Sequence, residues 1–92
     1  MALIETEALI LRTYNLAEAD KIVVCLTRAS GLVRGVAKGS RRLKNRFGAA
    51  LEPFTLLLLS YYQNENRELA SLRQAEIISS HFKLSSQAET LA

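Results

Sequence analysis

Residues Lys21–Lys38 read KIVVCLTRASGLVRGVAK, and their pattern decides the fold class. Ile22, Val23, Val24 and Thr27 are β-branched and suit a pleated surface, which predicts a strand over Lys21–Arg28. Ser30 and Gly31 signal a short turn, and Leu32–Lys38 resumes the extended pattern, so the stretch is a hairpin. In its second arm, alternation sends Leu32, Arg34, Val36 and Lys38 to one face and Val33, Gly35 and Ala37 to the other. The first face carries cations and should meet solvent or a ligand. The second is small enough to line a tightly curved sheet, with Gly35 allowing the bend that closing a barrel requires.

Working outward, Leu3–Tyr14 contains the apolar run Ala8–Leu11 and reads as a first strand, ended by the small and acidic residues of Asn15–Asp20. Gly39–Pro53 is irregular, with a turn of helix expected near Phe47–Leu51. Phe54–Tyr62 has no charged residue and is the strongest strand. Within it Leu56 and Leu58 face one side and Leu57 and Leu59 the other, and alternation alone does not say which pair is inside. Tyr61 and Tyr62 likewise point to opposite faces. A polar turn follows, then a fifth strand over Glu68–Ser80 whose Leu69, Leu72, Ala75, Ile77 and Ile78 predict one buried side and a bulge. Five strands with a long, irregular third connection predict an all-β, five-stranded OB-fold Greek-key barrel over residues 1–82, in preference to an SH3-like barrel. Residues 83–92 read as a linker and the start of a helix, since Ser86–Glu89 fits an S-x-x-E capping box. A capped helix this short is marginal alone, so a helical C-terminal domain is expected to continue the protein.

The 92 residues are enough for one small domain, and 49% hydrophobic with 23% charged side chains is a globular composition, not a disordered one. The single cysteine, Cys25, sits among Val23, Val24 and Leu26 and reads as a buried thiol acting as a small hydrophobe. Glu5 and Glu7 interrupt any secretory leader, and the apolar runs, Leu56–Leu59 and the five-residue Ile22–Leu26 among them, are far short of a membrane span. The expected location is the cytoplasm.

Charge is the chemical signal. Between Asp20 and Glu52 there is no acidic residue, yet eight of the twelve basic side chains lie there: Lys21, Arg28, Arg34, Lys38, Arg41, Arg42, Lys44 and Arg46. The rest of the chain has four basic against nine acidic side chains, so the overall +3 conceals one strongly positive segment. That asymmetry points to a polyanion, most simply nucleic acid. Arg34, Lys38, Arg41, Arg42, Lys44 and Arg46 are the candidate phosphate contacts, with the Arg41–Arg46 loop the more decisive part. Phe47 either stacks on a base or anchors the loop to the barrel.

Other chemistries fit less well. Lys38-Gly39-Ser40 has the wrong order, on a strand end, for a phosphate loop. His81, beside Phe82, reads as a packing or interdomain contact. Glu18 and Asp20 lack further carboxylates nearby for a cation site. No nucleophile and base pair can be assembled, so the chain is expected not to be an enzyme and to need no cofactor or metal. A protein-interaction module whose basic loop docks an acidic partner is the rival reading.

Glu7–Leu11, Glu18–Val23, Thr27, Gly31, Gly35–Arg41 and Phe47–Phe54 together resemble the N-terminal domain of the RecO family of bacterial recombination mediators. The resemblance spans nearly the whole chain, and Gly35–Arg41 followed by Arg46–Phe54 is its most specific part. It implies an OB-fold that binds single- and double-stranded DNA and helps anneal complementary strands. It also implies work with a RecR-type partner and the single-strand binding protein in loading a recombinase. Family members continue into a helical domain, some with a zinc cluster there.

Overall fold

The computed structural model describes residues 2–42, 45, 47–64, 66 and 68–80. Five strands follow in order: β1 (Ala2–Leu16), β2 (Asp20–Thr27), β3 (Gly31–Ala37), β4 (Thr55–Gln63) and β5 (Ala70–Ser80). They close into a barrel in the order β1-β2-β3-β5-β4, with β4 returning to β1. All pairings are antiparallel except β3 with β5, which is parallel and short, matching Gly35 to Ala70 and Val36 to Ser71. This is the expected five-stranded OB barrel. His81, Phe82, the capping box at Ser86–Glu89 and the expected linker and helix start lie outside the described residues.

β1 is longer than its sequence pattern suggests because it serves two neighbours. Its first half, Ala2–Leu9, pairs with β4, and its second half, from Ala8 to Leu16, pairs with β2. Between Ile10 and Arg12 the register slips, leaving Leu11 as the extra residue of a β-bulge. Ala8 and Ile10 point inward before the bulge. After it the phase reverses, and Arg12 and Tyr14 point out.

The interior is lined by Ala8 and Ile10 of β1, Val23 and Cys25 of β2, Val33 and Ala37 of β3, Leu57, Leu59 and Tyr61 of β4, and Ala70 and Leu72 of β5. Phe47, Ala50 and Leu51 from the long connection are also buried and join this core. That segment forms hydrogen-bonded turns, Ala50 N–H to Phe47 C=O at 3.0 Å, and not the expected turn of helix. The cause is local. Asn45 Oδ1 accepts from the amides of Phe47 and Gly48, both at 2.9 Å, and Gly48 has φ +55°, which a helix cannot continue. Phe54, expected to open the fourth strand, stands just before it with φ +65°.

The expected buried side of the fifth strand holds only in part. Leu72 is buried and Ala75 packs on the core, but Ile77 and Ile78 are 47% and 51% exposed. Among the described residues β5 meets β3 only at Ala70 and Ser71, and its far half pairs with β4 alone. The expected bulge is there twice, at the slips opposite Leu56/Leu57 and Ser60/Tyr61. On the outer surface Leu56, Leu9, Leu26 and Leu32 form one cross-strand row over β4, β1, β2 and β3.

Candidate nucleic-acid interface

Strand alternation places Arg34 and Val36 on the outside of β3, with Lys38 exposed just beyond its end. Register extends the face across the sheet. Arg34 is opposite Val24 and Val24 opposite Arg12; Val36 is opposite Ile22 and Ile22 opposite Tyr14. Two rows result, Arg12/Val24/Arg34 and Tyr14/Ile22/Val36, in which half-buried aliphatic side chains form a floor between flanking cations and an aromatic ring. Neither row contains a carboxylate.

The loop after β3 is drawn to the same end of the barrel by three bonds. Asp20 Oδ1 accepts from the Gly39 amide at 2.8 Å, where φ of +71° favours glycine. The Arg41 amide donates to Ala19 C=O at 3.0 Å, and its guanidinium to Ala17 C=O at 3.1 Å. The β1–β2 turn and the basic loop are therefore held together, with Arg41 and Arg42 both exposed. Asp20 is thus a structural acceptor that pins the start of the basic loop. Among the described residues no group of three or more His, Cys, Asp or Glu could hold a metal ion.

The eight cations of the acid-free stretch are not one patch. Arg28 lies at the opposite end of β2, in an exposed ion pair with Glu7 at 3.3 Å, worth at most about 1 kcal/mol. Lys21 has the inward phase and is half-buried, opposite Ala37 and Asn15. Lys44 and Arg46 lie outside the described residues. Of the expected contacts, Arg34 stands mid-strand on the outer face of β3, Lys38 just past its end, and Arg41 and Arg42 in the loop held against the β1–β2 turn. A cleft of about 430 Å³ beside them is lined by Val36, Lys38, Glu68, Leu69, Ala70 and Ser71.

Arg12 and Tyr14 join this face although nothing in the sequence pattern marks them. Simple alternation from Ala8 and Ile10 would send both into the barrel, and only the bulge at Leu11 turns them out. Arg12 Nη1 donates to the Tyr14 hydroxyl at 2.9 Å, which raises the Arg12 pKa further above its ordinary value. Phe47, by contrast, is 3% exposed and is the loop anchor, not a stacking surface. Tyr61 is wholly buried, its hydroxyl donating to Ser30 Oγ at 3.0 Å. Cys25 is buried: burial pushes its thiol up to about 11, and it donates to Val33 C=O at 3.6 Å.

An open sheet face with cations around an apolar floor can hold phosphate oxygens at its edges while bases lie over the middle. Comparisons with known proteins give the chain's family. The family model "Recombination protein O N terminal" matches residues 1–81. The protein named DNA repair protein RecO from Bifidobacterium animalis subsp. lactis is 53% identical over 88% of this chain and 33% of its own length. Its namesake from Koribacter versatilis is 42% identical over 83% of this chain and 31% of its own, and that from Streptomyces avermitilis 40% identical over 100% and 34%. The chain therefore spans about a third of the length of the curated relatives it matches. On the barrel topology and the match over residues 1–81, this chain belongs to the RecO family and corresponds to its N-terminal domain.

Proposed function

We propose that this chain is the DNA-binding domain of a recombination mediator acting in DNA repair in the cytoplasm. It binds single- and double-stranded DNA, assists strand annealing and recombinase loading, and does no bond-breaking chemistry itself. The observation that carries this reading is the placement of Arg12 and Arg34 across one outer face of an OB barrel, in rows that hold no acid, with Lys38 at the strand end and Arg41 and Arg42 in the loop that follows it. Lys44 and Arg46 of the same loop add to the charge. The curated relatives carry the name DNA repair protein, which supports the same role. A RecR-type partner, the single-strand binding protein and a recombinase are the companions that family membership suggests.

A salt titration tests the reading. With about five phosphates engaged on a single strand, log K should fall with log salt at a slope of about −3.5. The double variant Arg41→Glu, Arg42→Glu should bind an oligonucleotide far more weakly than wild type. Affinity that ignores salt, or no binding at low salt, refutes DNA binding. Retained DNA affinity with lost binding of an acidic peptide identifies the loop as a protein-docking site.

A further inference from the structure

We propose that Tyr14 is a stacking platform for an unpaired base, so that this face distinguishes single strands from duplex; the inference rests on the DNA-binding reading above. Tyr14 is 49% exposed on the same outer face as Arg12 and Arg34, one row from both. Its neighbours in the row, Ile22 and Val36, are half-buried, so the ring stands at the edge of an apolar floor two strands, or about 10 Å, wide. The Arg12 guanidinium holds the Tyr14 hydroxyl at 2.9 Å, which restrains the ring before any ligand arrives. Less entropy is then lost when a base settles on it.

The other tyrosines do not offer this. Tyr61 lies inside the barrel, and Tyr62, half-buried on β4, has the Arg73 guanidinium 5.8 Å from its ring centroid and bonded to its hydroxyl at 2.6 Å. At Tyr14 the bonded Arg is two residues along the strand, and the residue remains about half exposed. Every base has a flat apolar face, so such a platform is tolerant of sequence. It needs the base unstacked from a partner strand, which a duplex does not supply.

The test uses the 92-residue chain with three labelled probes of equal length: oligothymidine, an abasic deoxyribose-phosphate strand, and a blunt duplex. The wild type should prefer oligothymidine to the abasic strand. Tyr14→Ala should lower oligothymidine affinity about 5- to 150-fold and leave the abasic strand and the duplex within twofold. Tyr14→Phe keeps the ring and should restore the preference. Equal losses on the based and abasic strands, or no loss on either, would overturn the platform while leaving DNA binding standing. Failure of the wild type to bind any probe at low salt would instead overturn the DNA-binding reading on which it rests.

Discussion

A β-carbon added at Gly35 would lie 2.5 Å from Leu72 Cδ2 and 2.9 Å from Leu72 Cγ. Leu72 is 2% exposed and packed into the core, so it has little room to withdraw. Gly35 is also where β3 meets β5 in the short parallel pairing that closes the barrel. Its small size is thus a steric requirement of closure. Gly35→Ala should cost about 1–3 kcal/mol in denaturant unfolding, as overpacked cores do. Adding Leu72→Ala should make the pair less destabilised than the sum of the single changes, a coupling that a double-mutant cycle reads directly. Additive costs would show that Leu72 does not set the limit. The glycine and the inward phase of β3 were legible in the sequence; the identity of the opposing side chain was not, because it comes from a strand 37 residues further on.

Among the elements, β4 shows how tertiary contact resolves an ambiguity that periodicity leaves open. Its four consecutive leucines alternate equally well in either phase. β4 lies between β1 and β5, and its inward residues Thr55, Leu57, Leu59 and Tyr61 are all buried, while Leu58 is 42% exposed. Leu57→Ala should therefore lower unfolding free energy by about 2–5 kcal/mol. Leu58→Ala should cost under about 1 kcal/mol. Equal effects at both positions would contradict the phase. β1 shows the opposite case, in which alternation gives the wrong answer for Arg12 and Tyr14. One inserted residue at Leu11 reverses every side chain beyond it. In β5 a hydrophobic composition predicts burial for Ile77 and Ile78, yet among the described residues that end of the strand pairs on one side only.

Over the whole molecule, the barrel sorts charges that the chain lists together. Arg28 and Arg34 are six residues apart, but the β2–β3 turn sets Arg28 at one end beside Glu7 while Arg34 shares a row with Arg12. Arg28→Gln should thus leave oligonucleotide affinity within about twofold. Arg34→Gln combined with Lys38→Gln removes two phosphate contacts and should flatten the single-strand salt slope by about 1.4. Fluorescence anisotropy across a salt series measures both, and a slope change for Arg28→Gln equal to that of the pair would refute the division.

The amino-acid pattern alone determined the strand inventory, the hairpin of β2 and β3, the outward placement of Arg34 and Lys38, and the existence of a basic segment. These are local properties, set by β-branched side chains, turn residues and a period of two. Only the tertiary structure decided which leucines of β4 are inside, that Phe47 anchors the loop in the core, that Asp20 and Arg41 join the loop to the β1–β2 turn, and that Arg12 and Tyr14 belong to the cationic face. Each of these depends on partners distant in sequence, or on a bulge whose position follows from how β1 must bend to serve β2 and β4 at once.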